Sequence, residues 1–209
     1  MLNAGTLTFR EFMAREKLPL AAIHEAVLKF LRSRNDVVVF GAQAVNAYVK
    51  EPRMTQDIDL LSTHAQELAL ELQEHLRQRF HIAMRIRQIA DGQGYRLYQV
   101  QKSGNRHLVD VRQVEALPLA ERIEKILVMA PAELIARKVI AYYKRRGQPK
   151  SGTDWRDLAE LLLAFPQFKH ESSPVAERLK AAGADQAIFN VWKELVDREI
   201  QPADEEEEF

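Results

Sequence analysis

Val37-Val38-Val39-Phe40 narrows the fold more than any other segment: four apolar residues, three of them β-branched, stopped by Gly41. A run of this kind reads as a buried strand and sets a sheet at the centre of the chain. Before it, residues 21–34 carry Ile23, Val27, Leu28, Phe30 and Leu31 at helical spacing, which predicts an amphipathic helix. After the glycine, residues 42–49 predict a short helix that Pro52 ends, and Ile58-Asp59-Leu60-Leu61 resumes a strand. The unit is strand, turn, helix, strand.

Thr63 is placed to cap a helix whose stripe runs through Leu68, Leu72 and Leu76 to about Phe80, with Gln66 as its capping-box partner. Residues 82–89, 95–101 and 107–114 read as strands joined at Asp91-Gly92-Gln93-Gly94 and Ser103-Gly104-Asn105, adding an antiparallel portion. Residues 123–128 suggest one more strand. From Pro131 the pattern is helical throughout, with helices near 131–146, 153–165, 174–182 and 185–199. The expected class is α+β: a mixed sheet flanked by helices, then a C-terminal helical subdomain. Expected boundaries are an α/β core with N-terminal helices over 1–129, a helical subdomain over 130–200 and an acidic tail over 201–209.

Composition removes much chemistry. With no cysteine among 209 residues, thiolate metal sites, disulfides and thiol catalysis are excluded. No apolar window reaches the length of a membrane span, and residues 1–15 carry Arg10, Glu11 and Arg15, so a cytoplasmic protein with no membrane partner is expected. Thirty basic and thirty acidic residues balance overall, yet residues 77–112 hold eight Lys/Arg against Asp91 and Asp110. That local positive field suits phosphate-rich ligands, although basic residues alternating along strands also make an ordinary solvated face. The six histidines show no metal-ligand spacing and no nucleophile partner, and receive no role.

The chemistry concentrates in Phe40-Gly41-Ala42, then Arg53-Met54-Thr55-Gln56-Asp57-Ile58-Asp59, then His107-Leu108-Val109-Asp110-Val111. Asp57 and Asp59, two apart on a strand, project to one side while Ile58 and Leu60 enter the core. Like charges placed together call for a bridging cation, and hard oxygen donors favour Mg2+ or Mn2+. Asp110 offers a third carboxylate, which makes a two-metal site feasible. The Gly41-Ala42 turn leaves backbone N–H groups at a helix start, where a phosphate is favoured.

In order and spacing these stretches resemble the nucleotidyltransferase superfamily of polymerase-beta-like fold, and most nearly the minimal bacterial AbiEii-type toxin nucleotidyltransferases. The run of Gly-Gly, small helix, Arg, Thr/Ser and Asp-x-Asp in that group is matched by Gly41, Ala42, Ala44 to Tyr48, Arg53, Thr55, Asp57 and Asp59. Its lysine-bearing helix and Asp-x-x-Asp-Leu stretch are matched by Pro131-Ala132-Glu133-Leu134-Ile135-Ala136-Arg137-Lys138 and Asp154-Trp155-Arg156-Asp157-Leu158. The resemblance spans roughly residues 36–163. Two positions depart: Ala42 stands where Gly or Ser is usual, and Thr153 where a lysine is common.

The resemblance implies transfer of a nucleoside monophosphate from an NTP to an acceptor hydroxyl, with RNA or a tRNA end as one acceptor and an antitoxin as partner. It implies Asp57, Asp59 and Asp110 as metal ligands and, with Lys138, as catalytic residues. Gly41, Ala42, Arg53, Thr55, Lys138 and Asp157 would bind nucleotide. The alternative is a catalytically degenerate module of the same fold, kept open by Ala42.

Overall fold

The protein is described from a computed structural model covering residues 18–89, 92–102 and 104–202. Residues 1–17 of the expected α/β core, the acidic tail from residue 203, and Asp91 and Ser103 of the two connections lie outside the described residues. The chain divides into two compact units: residues up to Ala47 with Pro52–Met129, and Tyr48–Glu51 with residues from Ala130 on.

In the first unit, α1 (Leu20–Leu31) buries Ile23, Ala26, Val27, Leu28 and Leu31 along one stripe and ends where Ser33 takes φ +64°. The strands follow as β1 (Val37–Phe40), β2 (Ile58–Ser62), β3 (Met84–Ile89), β4 (Gly94–Gln101), β5 (Gly104–Gln113), β6 (Ala120–Ile123) and β7 (Ile126–Met129). They form one mixed sheet in the order β3-β4-β5-β2-β1-β7-β6. The β1/β7 and β2/β5 pairs are parallel and the other neighbours antiparallel. The short helix α2 (Gly41–Asn46) follows β1 directly, and α3 (Ala65–Phe80) follows β2.

Register sorts the side chains, because cross-strand partners share a face. One face carries Ile58, Leu60, Leu97, Val109 and Val111, all fully buried, and packs beneath α3 and α1. Each large apolar side chain so removed from water contributes about 1.5–3 kcal/mol before entropy is counted. The other face carries a rank across five strands: Phe40, Asp59, Asp110, Arg96 and Arg87. The Val37–Phe40 strand is therefore apolar because it is central, and the polar rank lies where α1 and α3 do not pack.

Three expectations change in detail. Residues 123–128 form the turn and half of a hairpin, not one strand: β6 and β7 are joined at Glu124 and Lys125, with φ +46° and +70°. Two consecutive left-handed residues are usually announced by Asn or Gly, and neither is present. Thr63 does not cap α3: its hydroxyl meets His64 Nδ1 at 3.0 Å, and the first helical amide, Ala65 N–H, donates to Gln113 Oε1 of β5 at 2.9 Å. Gln66 instead accepts from the Tyr95 hydroxyl.

The second unit is helical: α4 (Pro131–Lys144), α5 (Lys150–Ala164), a 3-10 turn (Pro166–Phe168), α6 (Pro174–Ala181) and α7 (Gln186–Asp197). Pro131 occupies the first turn of α4, where its missing N–H costs no hydrogen bond. The α4 stripe of Leu134, Ile135, Ala136 and Val139 is buried and meets α5, α6 and α7. Asp185 caps α7 through Ile188 N–H at 2.9 Å. Tyr48 joins this unit with its ring edge-on to Phe165, centroids 5.4 Å apart.

Candidate active site

Gly41 is the first fixed point of the candidate site. It has φ +67°, and a Cβ at this position would overlap the carboxylate of Asp59 on the neighbouring strand. Both facts require glycine: the backbone turns sharply into α2, and Asp59 lies against the turn. Ala42 follows as the second residue of α2.

The α2 helix also fixes the segment that leads into Asp57. Asn46 Nδ2 donates to the Arg53 carbonyl at 2.8 Å, and Arg53 N–H donates back to Asn46 Oδ1 at 3.0 Å. Gln43 Nε2 donates to Thr55 Oγ1 at 2.8 Å. Gln43 and Asn46 are nearly fully buried, and buried amides need partners. Arg53 and Thr55 are thereby held in a loop clamped at two points, with Asp57 immediately before β2.

Asp59 and Asp110 are direct neighbours on the parallel strands β2 and β5. Between Asp110 and Asp57 stands a residue the sequence reading passed over. His107 Nε2 lies 2.9 Å from Asp110 Oδ1 and its Nδ1 3.1 Å from Asp57 Oδ2. Strict alternation would put His107 on the Val109 side of β5, facing the core. The pairing instead shifts register between Leu97 and Tyr98, so that Leu97 pairs with Val109 and Tyr98 with His107, leaving Leu108 as an extra residue. This bulge turns His107 onto the face of Asp110, while Leu108 and Val109 are both fully buried. The sequence shows here only an adjacent apolar pair, Leu108-Val109, which a strand buried on both faces would show as well.

The electrostatics follow from this contact. Burial opposes a charged imidazole, but the hydrogen bonds to Asp110 and Asp57 outweigh it and push His107 up to about 9. Burial would raise Asp110, and the hydrogen bonds from His107 and from Arg96, whose Nε lies 2.9 Å from Asp110 Oδ1, hold it below the usual carboxylate range. Tyr98 lies beside the imidazole with ring centroids 5.2 Å apart. One donor atom each from Asp57, His107 and Asp110 lie within 4.8 Å of one another, a spacing and a donor chemistry that fit a divalent cation.

The second unit brings Lys138, Asp154 and Asp157 together. Positions 154 and 157 share a face of α5, and Lys138 in the middle of α4 lies two turns before Arg145, the residue just past its end. Lys138 Nζ makes a short ion pair with Asp157 and lies 3.7 Å from Asp154 Oδ1. Arg145 Nη1 meets both Asp154 oxygens, at 3.0 and 2.8 Å. The two carboxylates and the lysine are almost wholly buried. Asp154 lies in the second turn of its helix, because α5 begins at Lys150, three residues ahead of the start expected at 153. Arg145 is the member of this network that sequence reasoning did not single out.

Sheet order, the Gly41 turn against Asp59 and the carboxylate pair on β2 and β5 define the nucleotidyltransferase class. Two solved structures share the fold. The Megavirus polyadenylate synthase superposes with a TM-score of 0.58 at 13% identity over 79% of this chain, which spans only 38% of the viral enzyme. JHP933 from Helicobacter pylori gives 0.51 at 14% identity, covering 91% of this chain and 90% of that one. Among curated proteins none matches the sequence. A family model described as "Nucleotidyl transferase AbiEii toxin, Type IV TA system" matches residues 23–208, and the chain belongs to that family. Among the described residues no helix is long and apolar enough to cross a membrane.

Proposed function

We propose that this protein transfers a nucleoside monophosphate from an NTP to an acceptor hydroxyl, as the toxin of a toxin–antitoxin pair with a cognate antitoxin as partner. The observation that carries the reading is Gly41 closed against Asp59, with Asp110 beside Asp59 on the next strand. In the reaction the acceptor oxygen attacks the α-phosphorus, the bond to the bridging oxygen breaks, pyrophosphate leaves and the hydroxyl proton is released.

Asp57, Asp59 and Asp110 would hold Mg2+ or Mn2+, which when bound offsets negative charge on the phosphates. The remaining work falls to the chain itself. The Gly41 and Ala42 amides receive the triphosphate, and the Asn46 and Gln43 clamps keep Arg53 and Thr55 at its flank. Asp110, kept ionised by His107 and Arg96, serves the acceptor hydroxyl. Lys138, paired with Asp157 and Asp154 within the second unit, is assigned to phosphate charge by the family resemblance. Positioning and fixed charges of this kind supply most of the catalysis in phosphoryl chemistry.

For the acceptor we favour RNA, a tRNA end in particular. Arg85, Arg87, Arg96 and Arg112 share the sheet face of Asp59 and Asp110, a cationic approach to the carboxylates that suits a phosphate backbone. Incubation with α-labelled NTPs, Mg2+ or Mn2+ and total RNA should place label in RNA, and Asp59→Asn should abolish it. Nucleotide binding by wild type with no label in RNA, protein or small acceptors would favour the degenerate-module reading that Ala42 keeps alive.

A further inference from the structure

We propose that His107 is a metal ligand, completing with Asp57 and Asp110 a mixed nitrogen–oxygen site that prefers Mn2+ to Mg2+. The inference rests on the reading of the carboxylates as a divalent-ion site and adds to it a donor outside the carboxylate pattern.

Geometry carries the assignment. The extra residue in β5 is what brings the ring to this face; without it His107 would point into the core beside Val109. A bulge bends the strand and leaves one residue unpaired in the ladder, so one that re-aims a side chain marks a place where that side chain is needed. Tyr98 packs beside the ring, and its two nitrogens meet Asp57 and Asp110 at 3.1 and 2.9 Å. A cation held by those carboxylates would displace the proton from one ring nitrogen, which then offers its lone pair to the ion, within the 4.8 Å span of the three donor atoms.

Donor type then decides the preference. Mg2+ is hard and takes oxygen almost exclusively, whereas first-row transition ions gain from imidazole nitrogen. A carboxylate-only site would hold the two ions on similar terms, and a site with one imidazole would not.

The test uses the full-length protein without nucleotide or acceptor. Calorimetry with MnCl2 and MgCl2 should show Mn2+ bound at least about tenfold more tightly, and His107→Gln should cost about tenfold in Mn2+ affinity with little change for Mg2+. Pulsed electron paramagnetic resonance of the Mn2+-loaded wild type should show coupling to one imidazole nitrogen, a readout that needs no variant to fold. Absence of that coupling overturns the proposal. So does an equal loss of Mn2+ and Mg2+ affinity in His107→Gln, which would make His107 a positioning residue for the two carboxylates. Protein that passes this test yet transfers no nucleotide overturns the proposed function alone, and an active enzyme without the nitrogen signal overturns this inference alone.

Discussion

Gly41 and Asp59 are locked together: the glycine turns its hydrogen toward the carboxylate, in a space no side chain can share. Gly41→Ala should therefore fail twice, through the left-handed φ of +67° and through displacement of Asp59. Strain alone is worth about 1–3 kcal/mol. We expect a loss of that size in urea unfolding together with weakened Mn2+-dependent NTP binding. Full stability with unchanged binding would mean that the turn relaxes freely.

Lys138 and Asp157 define a second expectation, on stability. Removing one partner of a buried ion pair leaves an uncompensated charge and costs about 3–5 kcal/mol. Lys138→Met should thus destabilise strongly, because Asp157 and Asp154 would remain buried without the lysine charge. The double variant Lys138→Met/Asp157→Leu should recover a large part of the loss. Additive losses in the double variant would show that the pair is not coupled.

How far these sites were legible depended on whether local spacing carried them. The β1 strand, the turn at Gly41, the β2 carboxylates and the α4 stripe follow from composition and period over a few residues. The bulge at Leu108 does not, since a single extra residue inverts the face of His107 without any glycine to announce it. The β6/β7 hairpin escaped for the same reason, its left-handed turn being built from Glu124 and Lys125. The α3 cap depended on Gln113, 48 residues away from the amide it accepts from, beyond the reach of any local motif. Arg145 meets Asp154 across nine residues, from beyond the end of one helix to the side of the next, a pairing that no local spacing announces.

Asp36 supplies a pH dependence. Arg34 holds its carboxylate at 2.9 and 2.6 Å and also reaches Glu71, and the hydrogen bond from Arg34 keeps Asp36 below its ordinary value. The folded pKa is lower than the unfolded one, so the stabilisation is complete above the unfolded value of about 3.9 and disappears as pH falls through the folded value. Asp36→Asn should therefore be less stable than wild type at pH 7, with the gap closing in acid. Because both side chains are partly exposed, the gap should shrink in high salt. A constant difference from pH 7 to pH 2 would remove Asp36 as its source.

Asp110 separates the chemical step from nucleotide binding. It lies beside Asp59 in the sheet, receives Arg96 and His107 at 2.9 Å each, and is nearly fully buried. In the proposed reaction it serves the acceptor hydroxyl, while Gly41, Ala42, Asp57 and Asp59 serve the triphosphate. Asp110→Asn keeps the shape, removes the charge, and leaves His107 and Arg96 facing an amide. Single-turnover transfer should fall by about 10²–10⁴, the scale of a positioned acid or base, and NTP affinity should fall far less. Equal losses in the two would assign Asp110 to ground-state binding. Unchanged transfer would remove it from the reaction and leave it as the anchor of Arg96 and His107 alone.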